Sequence, residues 1–66
     1  LRTFGLTARE AEVARLLVRR MSDRQIADEL YIGVRTVATH VSAVLRKLEA
    51  ANRREVPAAV DKLDAQ

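Results

Sequence analysis

The stretch Ser22–Leu48, SDRQIADELYIGVRTVATHVSAVLRKL, decides the fold. It reads as two helices joined by a tight turn. Ser22 followed three residues later by Gln25 is a capping box. The hydroxyl accepts a first-turn amide and the Gln side chain reaches back to the cap. A short helix follows, with Ile26, Ala27 and Leu30 directed inward. Tyr31-Ile32-Gly33 breaks it, and Ile32 points the turn into the core. Gly33 then serves as N-cap, a few tenths of a kcal/mol weaker than Ser in that role. The third helix runs from Val34 to about Glu49, and its Val37 meets the shorter helix. Such a pair with a three-residue turn makes a helix-turn-helix unit, expected over about residues 22–48. These are packing requirements and do not by themselves establish DNA binding.

Nearer the N-terminus, Thr7-Ala8-Arg9-Glu10 is another capping box. It opens a first helix from about Ala8 to Arg20, in which Val13, Leu16 and Leu17 recur at helical spacing, with Met21 next in that series just beyond it. Asn52-Arg53-Arg54-Glu55 is a third box-like start, for a fourth helix ending near Leu63. Pro57 would remove an amide there and crowd the preceding turn. That helix therefore either begins later, nearer Val56, or has a distorted first turn. The expectation is an all-α, four-helix, single-domain chain over residues 1–66.

Composition agrees. Of 66 residues, 48% are hydrophobic, and two Gly and one Pro leave few turn formers, which favours helices. A domain of this size buries only about 60% of the surface its unfolded chain exposes, so its stability is small. No Cys and a single His exclude disulfides and a thiolate or His-based metal site, and they argue against multi-residue nucleophilic catalysis. No cofactor and no metal are expected, and an enzyme is the remotest class. The longest apolar run, as in Leu16-Leu17-Val18, is three residues. It suits neither a membrane span nor a signal-peptide core, and the cytoplasm is the expected compartment. The chain does not begin with Met, so it is expected to be a piece of a longer protein.

The net charge is +3, and its placement is more informative than its size. Residues 1–29 carry +1 and residues 49–66 carry −1, while residues 30–48 hold Arg35, Arg46 and Lys47 with no acid and the lone His40. An anion meets no repulsion there, and nucleic acid is the commonest polyanion to use such a patch. The plainer alternative is a solvated helix face that happens to lack acids.

At about 100° per residue, the third helix places Val34, Val37, Val41, Val44, Leu45 and Leu48 in one apolar sector. Arg35, Thr39, Ser42 and Arg46 lie opposite, with Thr36, His40, Ala43 and Lys47 on one flank. Small polar groups and arginines without carboxylates suit entry into a DNA major groove. Arg35, near the helix start, can pair its fork with guanine O6 and N7. Its alternative is a solvated cation, slightly unfavourable at a helix N-terminus. Thr39 and Ser42 are the other candidate base readers. Thr36 fits a phosphate contact or a helical Thr bonded back to its own backbone. Arg46 and Lys47, further along, reach only phosphates or simply suit the helix C-terminus. His40 is either a phosphate contact or a packing residue. Thr7 and Arg9 at the first helix, and Arg24 and Gln25 at the second, are secondary phosphate candidates.

LTAREAEVARLL, MSDRQIADELYI and TVATHVSAVLRKLEAANRREV together resemble the LuxR/FixJ-type (GerE-like) helix-turn-helix domain. The resemblance spans about residues 6–60, because Leu6-Thr7, Arg9-Glu10, Ser22, Gln25-Ile26-Ala27, Thr36-Val37, His40-Val41, Leu45–Leu48 and Asn52-Arg53 match in order and spacing. It implies a double-stranded DNA-binding output domain of a bacterial transcription regulator, placed behind a receiver or ligand-sensing domain. It also implies that the third helix enters the major groove and that the fourth, residues 53–63, supports a homodimer. The family often has Lys or Arg where this chain has Ala38, a position that commonly contacts DNA. Gly33 replaces a frequent Ser cap, and Arg20 and Glu49 stand where glycine often ends the first and third helices. Two other readings remain. One is a sigma-factor region 4-like module docking on promoter DNA and RNA polymerase. The other is a helical protein-interaction domain that kept the fold and lost DNA binding. Salt separates them, since a DNA binder loses affinity with a log–log slope of about −0.9 per phosphate contact.

Overall fold

The computed structural model describes residues 5–64, which form four helices: α1, Ala8–Val18; α2, Asp23–Leu30; α3, Val34–Leu48; and α4, Val56–Asp64. A single 3-10 turn, Arg53–Glu55, leads into α4. The described residues contain no strand, as the all-α expectation requires. α3 is the central element and packs against α1, α2 and α4, with α4 also resting on α1. None of these helices is long and apolar enough to cross a membrane.

Both expected capping boxes form. Thr7 Oγ1 accepts the Glu10 amide at 3.1 Å while Glu10 Oε1 accepts the Thr7 amide at 3.0 Å. Ser22 Oγ accepts the Gln25 amide at 3.1 Å and Gln25 Oε1 accepts that of Ser22 at 2.8 Å. Each box satisfies amides that a helix start leaves without partners. Gly33 takes the same extended backbone before α3 but offers no side chain to its amides.

α1 and α3 end a residue or two short of the expected positions, for one reason. Arg20, Tyr31 and Glu49 all sit in the left-handed region, at φ of 62°, 58° and 57°. α1 therefore stops at Val18 rather than Arg20. The Arg20 amide turns back to the Leu17 carbonyl at 2.9 Å and that of Met21 to Leu16 at 3.2 Å. α3 stops at Leu48 in the same way, through Glu49 to Arg46 and Ala50 to Leu45. Left-handed backbone costs an L-residue about 1–2 kcal/mol, which glycine would avoid.

Of the two alternatives left by Pro57, the later start holds. Asn52 Oδ1 accepts the Arg54 amide at 3.0 Å and Glu55 Oε1 accepts the Ala51 amide at 3.2 Å, which tightens this segment into the 3-10 turn. α4 then opens at Val56, so Pro57 falls in its first turn, where a missing amide costs nothing.

The core joins Val13, Ala14, Leu16 and Leu17 of α1, Ile26 and Ala27 of α2, Val37, Val41, Val44 and Leu48 of α3, and Val56. Burying each Val, Leu or Ile contributes about 1.5–3 kcal/mol. Met21, Leu30, Ile32 and Leu45 are half-buried around it. Val34, expected in the apolar sector, is instead 47% exposed. It is the first residue of α3, and Ile32 of the preceding turn packs on the core at that corner.

Candidate nucleic-acid interface

The outward side of α3 follows from its inward one. Val37, Val41, Val44 and Leu48 recur at intervals of three and four and are buried, which fixes the rotation of the helix. That rotation leaves Arg35, Thr36, Ala38, Thr39, Ser42 and Arg46 exposed. His40 and Lys47, on the flank, are half-buried. α3 itself contains no carboxylate, and among the described residues neither Arg35 nor Arg46 is paired with an acid. The exposed strip is thus cationic at both ends and small in the middle, where Ala38, Thr39 and Ser42 project little.

Thr39 Oγ1 donates to the Arg35 carbonyl at 3.2 Å. The back-bond considered for Thr36 therefore lies on Thr39, whose oxygen keeps its lone pairs for an incoming donor. The Thr36 hydroxyl stands close to Gly33, 4.0 Å from where a Cβ on that glycine would lie.

Lys47 is held within the fold. Its Nζ donates to Glu10 Oε1 at 2.6 Å, tying the end of α3 to the start of α1. Glu10 is the one charged residue in the buried set among the described residues. The Lys47 hydrogen bond chiefly lowers its carboxyl pKa. The Thr7 amide adds to that effect, partial desolvation opposes it, and the charges of Lys47 and His40 contribute further. One carboxylate oxygen thereby closes the α1 cap and anchors the flank of α3. The Lys47 charge is met inside the protein, whereas that of Arg46, one residue earlier, faces solvent.

The secondary candidates fall into two places. Arg24 is exposed in the first turn of α2 and unpaired among the described residues. Beside it, Gln25 has its carbonyl oxygen committed to Ser22 while its amide remains able to donate. At α1, Thr7 is exposed and caps the helix. Arg9 lies 3.5 Å from Glu12 in a surface pair of little energetic weight.

Sequence reading missed two long-range ties, Lys47 with Glu10 and Arg53 with α2. Arg53 Nη1 donates to Asp23 Oδ1, and its Nη2 donates to the Met21 carbonyl at 2.9 Å. The partners are 37 residues apart in the first tie and 30 or more in the second. Only charge sign, without spacing, could have suggested either.

A family model described as bacterial regulatory proteins, luxR family, matches residues 5–59. The chain is 36% identical over 51 residues to the transcriptional regulatory protein LiaR of Bacillus subtilis, covering 77% of this chain and 24% of that protein. It is 42% identical over 50 residues to the response regulator protein VraR of Staphylococcus aureus, covering 76% of this chain and 24% of the relative. VraR of Staphylococcus epidermidis matches to the same extent. The chain thus spans about a quarter of the length of these curated relatives. No solved structure matches it.

Proposed function

The chain belongs to the luxR family of bacterial regulatory proteins, and from that premise we propose that it is the DNA-binding output domain of a longer transcription regulator, with α3 laid in the major groove. The observation that carries this reading is the outward strip of α3: exposed, free of carboxylates, small at its centre and bounded by arginines that are unpaired among the described residues. A helix fits a groove about 12 Å wide only when its leading face lacks bulk and negative charge.

Within that strip the roles follow from position. Arg35, in the first turn, reads a guanine through O6 and N7, since the N-terminal residues of such a helix meet base edges. Thr39 and Ser42, one and two turns on, accept from or donate to bases. Ala38 offers only a methyl group, which suits contact with thymine and makes Arg35 the principal polar reader. Arg46, Arg24, Thr36, His40, Gln25, Thr7 and Arg9 position the domain on phosphates. Lys47 contributes mainly by holding α3 to α1 through Glu10.

With few free cations, one domain binds weakly. Tight binding takes two copies on half-sites about 34–36 Å apart, joined through residues 53–63, the 3-10 turn and most of α4, or through the rest of the longer protein.

Selection from random duplexes supplies the half-site, and titration of Arg35→Ala on the selected duplex then tests the assignment. The expected outcome is a loss of about 1–3 kcal/mol of discrimination at one base pair. Unchanged affinity and preference in the variant would falsify the role of Arg35. Failure of the unaltered chain to retain any duplex at low salt would remove the DNA reading as a whole.

A further inference from the structure

A second basic site lies outside α3. Leu17, Arg20, Met21, Arg53 and Arg54 line a small open cavity of about 130 Å³ where the end of α1, the start of α2 and the 3-10 turn meet. We infer that this arginine pocket is a phosphate clamp that grips the DNA backbone beside the groove occupied by α3. The inference rests on the DNA reading above and adds Arg20 and Arg54 to its contact set, while Arg53 ties the 3-10 turn that carries Arg54 to the start of α2.

Four observations carry it. Three guanidinium groups share the cavity, and the only carboxylate bonded to any of them among the described residues is Asp23, which pairs with Arg53. Arg20 and Arg54 are exposed and have no acidic partner among the described residues, so the pocket keeps a surplus of positive charge. Its apolar side, from buried Leu17 and half-buried Met21, is a low-dielectric wall that strengthens the field at the opening. Finally, Arg20 holds left-handed backbone at φ 62°, where glycine is the unstrained choice. A long cation kept in a strained position points to a use for its side chain.

Location selects the ligand. Met21 immediately precedes Ser22, the N-cap of α2, and Arg53 is bonded to both Met21 and Asp23 in that first turn. In helix-turn-helix docking the helix before the recognition helix crosses the backbone, and helix N-termini are frequent phosphate contacts. The pocket lies at the same end of α2 as Arg24. Guanidinium forks match phosphate oxygens in pairs, which a scattered set of lysines would not do.

The experiment measures binding of the chain to a pool of random duplex DNA as a function of salt. It compares Arg20→Gly, Arg54→Ala and the double variant with Arg20→Lys and Glu49→Gly. Removing one clamp contact lowers the log–log salt slope by about 0.9, and the double variant by about twice that. Affinity falls roughly tenfold per contact at about 0.1 M salt, with base preference unchanged. Arg20→Gly carries the sharpest signature, because it relieves backbone strain while removing a cation: its melting temperature rises as its DNA affinity drops. Glu49→Gly relieves the same kind of strain and keeps the full slope, and Arg20→Lys retains most of it. If the unaltered chain binds the duplex pool and the double variant shows the same slope, the clamp is overturned and the pocket faces a different partner, such as an acidic polypeptide. If the unaltered chain does not bind, the DNA reading itself fails and the clamp falls with it.

Discussion

The two sides of α3 differ in what holds them. On the inward side, Val37 and Val44 are wholly buried and Val41 and Leu48 nearly so, and the neighbouring Lys47 is tied to Glu10. On the outward side, Arg35, Ala38, Thr39, Ser42 and Arg46 are exposed, and among the described residues the one side-chain hydrogen bond there, from Thr39, stays within the helix. One helix thus carries stability on one face and leaves the other available to a ligand. Changes on the two faces should be separable: inward ones alter folding, outward ones alter binding.

The largest test of that separation is Leu48→Ala against Ser42→Ala. Truncating a buried Leu costs about 2–5 kcal/mol, which is most of the stability of so small a domain. Ser42 is exposed and makes no hydrogen bond to another described residue through its side chain, so its truncation changes stability by less than about 0.5 kcal/mol. Urea or thermal unfolding monitored by circular dichroism reads both. A Ser42→Ala variant that unfolds as readily as Leu48→Ala would mean the outward side is packed against something and is unavailable to a groove.

The boundary between the faces is the Glu10–Lys47 pair, and pH probes it. Lys47 and the Thr7 amide hold the Glu10 carboxyl below its ordinary value of 4.5. A carboxylate with a depressed folded-state pKa adds stability at pH above the unfolded value. That stability is lost as pH falls through the lower, folded value. Thermal melts between about pH 6 and pH 2 should therefore show a shallower acid decline for Glu10→Gln than for the unaltered chain. Releasing Lys47 should also leave the salt slope of DNA binding equal or steeper. A Glu10→Gln variant with the same acid decline would show that the pair contributes nothing to folding.

Much of this contrast is readable in the sequence, for a definite reason. The boxes at Thr7 and Ser22 act over three residues, and the rotation of α3 follows from a repeat inside one helix, so local spacing suffices to find them. The exposure of Arg35, Thr39, Ser42 and Arg46 comes from that same rotation. Lys47 lies at a legible angle, on the flank with Thr36 and His40, yet its fate depends on Glu10 of another helix 37 residues away. Arg53 is equally silent, since its partners are known only once the 3-10 turn is placed against the start of α2. The ends of α1 and α3 are missed because Arg20 and Glu49 carry no local stop signal, yet each adopts the left-handed turn that glycine favours. Val34 is misread because periodicity gives an angle and takes no account of where along the helix its neighbours end.

Glu49→Gly makes the misread helix end a test of cause. If the left-handed turn after Leu48 is set by tertiary packing against the preference of Glu49, glycine should stabilise the fold by about 1 kcal/mol, less than the full relief because glycine is freer when unfolded. For a domain of this size that is a rise of about 4–8 °C in melting temperature. A fall would show that the Glu49 side chain makes a favourable contribution outweighing its backbone strain.

The smallest effect concerns Gly33, where the two faces of α3 share a starting point. Its backbone, at φ −74° and ψ 152°, already has the geometry a side-chain cap requires. A Cβ added there meets only Thr36 Oγ1 at 4.0 Å, an ordinary contact. Gly33→Ser therefore fits without strain, and its hydroxyl can accept the Thr36 amide in the manner of Thr7 and Ser22. Capping adds a few tenths of a kcal/mol and the stiffer unfolded chain a similar amount, for a total of about 0.5 kcal/mol. Because the change lies beside the outward strip, binding decides what the vacant cap is for. Higher stability with unaltered DNA affinity makes the glycine a local weakness of the fold. Higher stability with weakened affinity means that the open amides at the start of α3 bond a phosphate that the serine hydroxyl displaces.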